Sequence, residues 1–445
     1  MPALLALSST MIDIALVREN PEIFKQGAAD KGTDPKLIDE LLAADKHLRE
    51  LRTSVEEQRA VQNAAAKTIA QLEGEEREKA IAEMQKTKDS SKSQDQELKQ
   101  AEESYLNLLL LMPAPALEKV PVGKEDSDNV EIKTWGELPE FAFEIKDHVE
   151  LGKDLDILDI ERGVKVSGSR FYFLKGAGAL LEMAILKYTL DKLVKKGFTP
   201  FIPPVLVQRE AMVGTSYFPG GEEQAYAVGV KRDGEEMEHD GLYLVGTSEV
   251  SVASYHQGET LDEAQLPLLY AGISNCFRRE AGTYGKDTHG IYRIHQFQKV
   301  EQVVICKNDP EESARLHKMI LENAEEVLQD LKLPYRVVDV CTGDMGQGQI
   351  YKNDIETWMP SRGAYGETHS CSTFHEFQAR RLQLKYKNKE GKKNFVHTLN
   401  NTCIASPRVL IPLLETYQKE DGSIEVPEVL RPYMLDMERI ERAKG

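Results

Sequence analysis

Residues 276–301 read CFRREAGTYGKDTHGIYRIHQFQKVE. Strand-like content over residues 273–279 and 292–304 flanks a polar stretch carrying Gly282, Gly285, Lys286, Asp287 and Gly290. This spacing predicts a long-looped antiparallel hairpin, and a loop of that length inside a hairpin usually carries function. Arg278 offers a planar, permanently charged fork suited to phosphate or carboxylate, and Glu280 is expected two residues on along the same strand face. Phe297, with Arg293 and His295, is expected on the returning strand. An arginine for phosphate, an acceptor for an exocyclic amine and a ring to stack on suit a purine nucleotide. An amphipathic hairpin whose charges face water uses the same residues, so the hairpin alone leaves both readings open.

At 445 residues the chain exceeds one ordinary core, which predicts two domains. Hydrophobic content of 41% and charged content of 29% fit a soluble protein with a long solvated helical portion. The net charge of −18 argues against indiscriminate nucleic-acid binding, because that affinity comes from basic side chains releasing counterions. A nucleic-acid partner must then meet a local basic patch. The best run is Arg380, Arg381, Lys385, Lys387, Lys389, Lys392 and Lys393, which reads equally as a solvated hairpin loop. The five cysteines, 276, 306, 341, 371 and 403, form no C-x-x-C pair, so neither a disulfide framework nor a zinc ribbon is indicated. The opening MPALLALSST lacks the pattern of a secretory signal, no apolar run is long enough to span a bilayer, and translation starts at Met1 or Met11.

Along the chain, Asn20-Pro21 marks a helix entry in a short helix and turn. Apolar or small residues then fall at Leu37, Leu41, Ala44, Leu48, Leu51, Val55, Ala65, Ile69 and Leu72, with Gln58 and Gln62 in the same seam. The stripe breaks near Gly74, resumes through Ala80, Met84, Leu98, Ala101, Tyr105 and Leu108, and ends at Pro113. One break between two stripes predicts an antiparallel helical hairpin, with arms of roughly 50 Å at 1.5 Å per residue. Such an arm reaches something large or serves as a dimerisation coiled coil. Arg49, Arg52, Arg59, Lys86, Lys88 and Lys92 supply charge for a reaching role, among at least as many acids. A linker is expected at 113–129, where prolines, Gly123 and charges gather. Beyond it strands and helices mix without β-α-β alternation, predicting an α+β domain on an antiparallel sheet. Gly176-Ala177-Gly178 lacks the third glycine of a dinucleotide fingerprint, and no Walker-type loop occurs. A helix over 179–196 enters the proline-containing strand 198–205, which predicts an edge position able to pack across a symmetry axis or inside one subunit. The acidic segment 231–240 is expected to be a loop tip.

Taken in order, the helix and proline strand at 179–205, Phe277-Arg278-Arg279-Glu280 with its hairpin, and Ala405-Ser406-Pro407-Arg408-Val409-Leu410 resemble the three signature motifs of class II aminoacyl-tRNA synthetases. With the preceding arm, the chain resembles the seryl-tRNA synthetase family. The likeness runs from Met11 onward and includes Val120-Pro121-Val122-Gly123, Gly168-Ser169-Arg170-Phe171-Tyr172, Thr247-Ser248-Glu249, Asp354-Ile355-Glu356-Thr357-Trp358 and Phe377-Gln378-Ala379-Arg380-Arg381. Each motif is modest; so many in order are specific.

The resemblance implies an arm at 11–112 that binds tRNA, a linker at 113–129 and a catalytic domain at 130–445. It implies a cytoplasmic homodimer that attaches serine to tRNA(Ser), and by extension tRNA(Sec), through a seryl-adenylate, with no DNA or membrane partner. For ATP it implies Arg278 and Arg279, Glu280 at the adenine edge, Ile294, His295, Gln296 and Phe297 beneath the ring, Glu367, Thr368, His369 and Ser370, and Arg408 over the other face. Glu367 and Ser370 match positions that hold Mg²⁺. His369 is unfamiliar at its position. Serine would meet Thr247, Ser248, Glu249 and Arg278, with Glu301 and Thr402 reading its hydroxyl; Thr402 stands where many bacterial relatives have serine. Arg278 and Arg408 carry the catalytic expectation. Taken alone, Thr247 and Glu249 also fit a helix start, Cys371 and Cys403 fit inert core, and His289 and His295 fit hydrogen-bonding or loop roles. A catalytically silent relative that binds RNA, or serves structurally, is the competing reading. A ligase acting on a carrier protein would be expected to lack the arm.

Overall fold

The computed structural model describes residues 12–230, 238–282 and 289–442, apart from the side chains of 81–83 and 86–92. Met1 and Met11, Gly285, Lys286 and Asp287, residues 231–237 and the side chains of Lys86, Lys88 and Lys92 lie outside it. The chain divides into two compact units, Met1–Pro115 and Ala116–Gly445.

In the first unit, Asp13 caps helix α1 (Ile14–Glu19) and Pro21 opens α2 (Pro21–Asp30), where its missing N–H costs nothing. The long helices α3 (Lys36–Ile69) and α4 (Gly74–Leu111) form the antiparallel hairpin. The buried seam of α3 is Ile38, Leu41, Asp45, Leu48 and Val55, and Tyr105, Leu106 and Leu109 are buried on α4. The predicted Leu37 and Ala44 stand beside this seam, half-buried, and their neighbours occupy it. A carboxylate is tolerated at position 45 because Arg49 pairs with it at 3.1 Å.

The second unit is built on one eight-stranded sheet. Its strands are β1 (Val130–Trp135), β2 (Thr199–Phe201), β3 (Leu268–Phe277), β4 (Gln296–Cys306), β5 (Tyr335–Asp339), β6 (Tyr351–Met359), β7 (Ala364–His375) and β8 (His397–Ala405). They lie in the order β1-β5-β6-β7-β8-β4-β3-β2, antiparallel throughout except for the parallel β3–β2 pair. The fold is therefore α+β, and the proline strand sits at the sheet edge, where a missing ladder donor is harmless. Helix α5 (His148–Asp154) precedes α6 (Ala177–Lys195), α7 (Pro310–Asp330), α8 (Phe377–Leu382) and α9 (Ser406–Thr416). Side chains of α6, α7 and α9 pack with Val300, Val304, Cys371 and Leu399 in one core. Alternate residues of the same strands point to the opposite face, which frees Phe297, Lys299, Glu301, Ser370, Ser372, Asn400 and Thr402 to line a cavity.

Three expectations are corrected. The hairpin strands end earlier than predicted: β3 stops at Phe277 and β4 begins at Gln296, so Arg278, Arg293 and His295 are not strand residues. Glu280 does not share a strand face with Arg278, because its backbone is left-handed, with φ 51°. The basic run is not one solvated patch, since Arg381 is buried and donates to the carbonyls of Val213 and Phe218. Of the acidic segment 231–240, residues 231–237 lie outside the described residues, and residues 238–240 open the strand Glu238–Leu244.

Candidate active site

On β4, residues 297, 299 and 301 present a ring, an ammonium and a carboxylate to one cavity. Lys299 Nζ lies 2.5 Å from Glu301 Oε2 and donates to Thr402 Oγ1 at 3.2 Å. Thr402 donates to Glu301 at 3.1 Å, and Asn400 Nδ2 reaches both Glu301 and Glu249 at 2.9 Å. Gln378 Nε2 donates to the other Glu249 oxygen at 2.8 Å. Glu249 opens the short helix Glu249–Ala253, and its backbone N–H donates to Thr247 Oγ1 at 3.3 Å. Thr247 and Glu249 therefore form a helix start and also face the cavity. Burial, and then the charge of Glu301, push the Glu249 carboxyl up to about 7. The thiols of Cys371 and Cys403 are buried and raised by desolvation, as inert core residues are.

Arg278 leaves β3 with its Nε on the Gly246 carbonyl at 3.3 Å and its guanidinium 5.3 Å from the Phe297 ring centroid. Opposite, α9 delivers Arg408 from its first turn. Arg408 Nη1 lies 3.1 Å from both the backbone oxygen and Oε2 of Glu367 on β7, and its guanidinium lies over the Tyr292 ring at 4.7 Å. Tyr292 donates to the same Glu367 carbonyl at 3.1 Å, and Arg293 pairs with Glu280 at 2.8 Å. Arg278, Glu280, Arg293, Glu367 and Arg408 border both an inner cavity of about 140 Å³ and a wider one of about 700 Å³ outside it. Burial alone would raise the Glu367 carboxyl, but Arg408, Lys352 and Arg278 hold it well below the usual carboxylate range.

Of the residues expected in the site, Thr247, Glu249, Arg278, Glu280, Ile294, Phe297, Glu301, Glu367, Thr368, Ser370, Thr402 and Arg408 line the inner cavity. Arg279 instead lies over Tyr226 at 5.7 Å, and Ser248 donates to the Gly272 carbonyl. His295 Nδ1 bonds the Arg278 carbonyl at 2.8 Å, and Gln296 is exposed. His369 follows Thr368 on β7 and turns away from the cavity; it is buried, bonds Thr368 Oγ1 at 2.8 Å and is held neutral by desolvation at about 3. Sequence reasoning passed over Lys299, Asn400, Tyr292, Gln349 and Ser372. Lys299 was within reach, because it falls midway between Phe297 and Glu301 in the two-residue period of one strand.

Glu367 and Ser370 set two oxygens at the cavity wall. Among the described residues no group of three His, Cys, Asp or Glu is placed to hold a metal. Two protein oxygens fit a magnesium ion that takes its other ligands from phosphates and water.

The chain matches the family model described as "Seryl-tRNA synthetase N-terminal domain" over residues 11–115, and that described as "tRNA synthetase class II core domain (G, H, P, S and T)" over residues 230–417. It is 45% identical over 424 residues to a Serine--tRNA ligase of Deinococcus radiodurans, covering 95% of this chain and 97% of that one. It is 42% identical over 427 residues to that of Dictyoglomus turgidum, with 95% and 98% covered. Among solved structures it resembles seryl-tRNA synthetase from Pyrococcus horikoshii complexed with ATP, at TM-score 0.86 and 38% identity over 98% of this chain and 100% of that one. It also resembles the cytoplasmic Serine-tRNA ligase from Naegleria fowleri in complex with AMP, at TM-score 0.81 and 31% identity over 96% of each.

Proposed function

The chain belongs to the seryl-tRNA synthetase family of class II, and we propose that its cavity between Arg278 and Arg408 is where serine and ATP react. The activity is the ATP-dependent attachment of serine to tRNA by way of a seryl-adenylate. One observation carries the residue-level reading: the two arginines of separate motifs border a single cavity together with Phe297, Glu301 and Glu367.

In this reading ATP lies with adenine on Phe297, its edge at Glu280 and Arg408 over the opposite face. Serine lies deeper, its ammonium near Thr247 and Glu249 and its hydroxyl at Glu301 and Thr402. A buried site built to bond a hydroxyl disfavours alanine, because its own polar groups would be left unpaired. Serine's carboxylate is already ionised at neutral pH, so no general base is needed. One of its oxygens forms a bond to the α-phosphorus while the bond to the leaving pyrophosphate breaks. Arg278 stands where charge accumulates, and positioning with charge stabilisation does most of the work. Glu367 and Ser370 would hold Mg²⁺, which neutralises phosphate charge when bound.

The helical hairpin α3–α4 then holds the long variable arm of tRNA(Ser), and of tRNA(Sec) on the same basis, by shape and backbone. A second copy of the chain covers the apolar surface at Met183 and Ile202, which are 65% and 91% exposed, giving a homodimer that works in the cytoplasm. No helix among the described residues is long and apolar enough to cross a membrane.

Serine-dependent exchange of pyrophosphate into ATP tests the site. Arg278→Ala is expected to lower it on the order of 10²–10³-fold, the scale for removing a transition-state donor. Undiminished exchange in that variant would remove the mechanism, and no exchange by the parent chain would favour a catalytically silent relative.

A further inference from the structure

Behind the cavity lies a buried polar cluster that the reaction above does not use. Glu415, fully buried near the end of α9, accepts four hydrogen bonds. Two come from His148, its backbone N–H at 3.1 Å and Nδ1 at 2.9 Å, and two from Ser361, its N–H at 3.0 Å and Oγ at 2.9 Å. The other ring nitrogen of His148, Nε2, lies 3.3 Å from the backbone N of Ile291. A backbone N–H only donates, so Nε2 carries the lone pair and Nδ1 carries the hydrogen given to Glu415. The carboxylate and the amide together select one tautomer of a histidine that is 3% exposed.

Residues 289–291 dock on this pair one after another. His289 Nε2 meets Asp147 Oδ2 at 2.7 Å, while Asp147 Oδ1 caps α5 through the N–H groups of Val149 and Glu150. Gly290 takes φ +72°, and a Cβ there would stand 2.0 Å from His148 Nε2. Ile291 is buried. The next two residues are Tyr292, which bonds the Glu367 carbonyl and lies under Arg408, and Arg293, which pairs with Glu280. Helix α9 thus contributes at both ends, with Arg408 at the cavity and Glu415 seven residues later at the cluster.

We infer that His148 and Glu415 are positioning residues for the ATP side of the site. By fixing the seat of residues 289–291 they set Tyr292 and Arg293, and through them the placement of Glu367, Arg408 and Glu280. The serine end, at Glu301, Thr402 and Glu249, is built from strands and a helix that do not pass through this cluster. The inference rests on the ATP-dependent reading above and predicts a defect confined to one substrate.

The test compares the full chain with His148→Phe, which keeps a ring but no acceptor, and with His148→Gln, which restores an amide able to accept and donate. Pyrophosphate exchange gives kcat and the KM for each substrate, calorimetry gives the Kd for ATP with Mg²⁺, and thermal melting reports the fold. For His148→Phe, kcat/KM for ATP should fall on the order of 10²-fold, the scale of a small misplacement. The KM for serine should stay within about threefold, and His148→Gln should recover most of the loss. If His148→Phe does not melt cooperatively, Gly290→Ala decides, since it removes no core group yet drives a methyl into the same ring and should give the same ATP-selective loss. ATP parameters within threefold of the parent in both variants, or equal losses for serine and ATP, would overturn the inference. Calorimetry keeps it separable from the activity: a parent that binds ATP without exchanging pyrophosphate would defeat the catalytic reading, while the variants' Kd for ATP would still decide the positioning claim.

Discussion

Glu249 and Glu301 share the Asn400 amide but differ in what offsets their charge. Glu301 has Lys299 at 2.5 Å, whereas Glu249 accepts from the neutral amides of Asn400 and Gln378. Burial and the neighbouring Glu301 raise Glu249 to about 7 from an ordinary 4.5. The folded chain therefore keeps a proton that the unfolded chain releases. Its contribution to stability is full below about 4.5 and is lost as pH rises through about 7. Binding runs the other way, because serine's ammonium needs the carboxylate. The KM for serine should rise about tenfold as pH falls from about 8 to about 6, following the ionised fraction of a group with pKa near 7. Steady-state exchange across that range checks it, and Glu249→Gln should flatten the profile; a flat parent profile would place the ammonium elsewhere. Phe297 and Glu301 were legible as site residues from the family likeness, but their partner Lys299 was not singled out. A lysine in a strand normally faces water, and only the carboxylate and threonine brought in by β8 and β4 together make its burial tolerable.

The helical hairpin shows how far an element can be read from periodicity. Its two helices and the break at Gly74 were legible because apolar spacing and turn residues are local properties. The seam itself slipped by one residue at Leu37 and Ala44, since Asp45 looks like a surface residue until Arg49 is seen beside it. The hairpin around residues 276–301 departs from its predicted form for a related reason. Alternation cannot announce that Glu280 turns into a left-handed conformation and meets Arg293 from the far limb. Ion pairs fix the register of the arm: Arg52 meets Glu102 and Arg59 meets Asp95, each at 2.9 Å. Position 56 of α3 then faces position 98 of α4, and the chain can be cut there and rejoined by two glycines without shifting the remaining pairs. This truncation should leave serine-dependent pyrophosphate exchange within about threefold, because the cavity is lined wholly by the second unit. It should lower charging of tRNA(Ser) by on the order of 10²-fold or more, the difference made by losing several kcal/mol of binding. Equal loss of both activities would mean that the arm also supports the catalytic unit.

At the scale of the whole molecule, the order of the motifs was legible because each is a short continuous stretch, while their convergence was not. Nothing in the spacing of Glu367 and Arg408 says that they lie 3.1 Å apart; the crossing of β7 by α9 does. The same limit applies to surfaces. Prolines at 200, 203 and 204 placed the strand at an edge, and β2 is indeed the last strand of the sheet, but sequence cannot say what covers an edge. Ile202 directly after it is 91% exposed, and Met183 on α6 is 65% exposed. An apolar edge left open invites uncontrolled pairing, and proteins cover or charge such edges. Among the described residues nothing covers Ile202, and the dimer proposed above would place a second copy of the chain there, as suits a helix and edge strand able to meet their own symmetry mates. Ile202→Glu would place an unpaired carboxylate at the centre of that contact. Light scattering should then find particles of a single 50.1 kDa chain where the parent gives twice that mass, with exchange activity reduced alongside. A parent that is already monomeric, or a variant that remains dimeric, would show that this apolar edge serves something other than self-association.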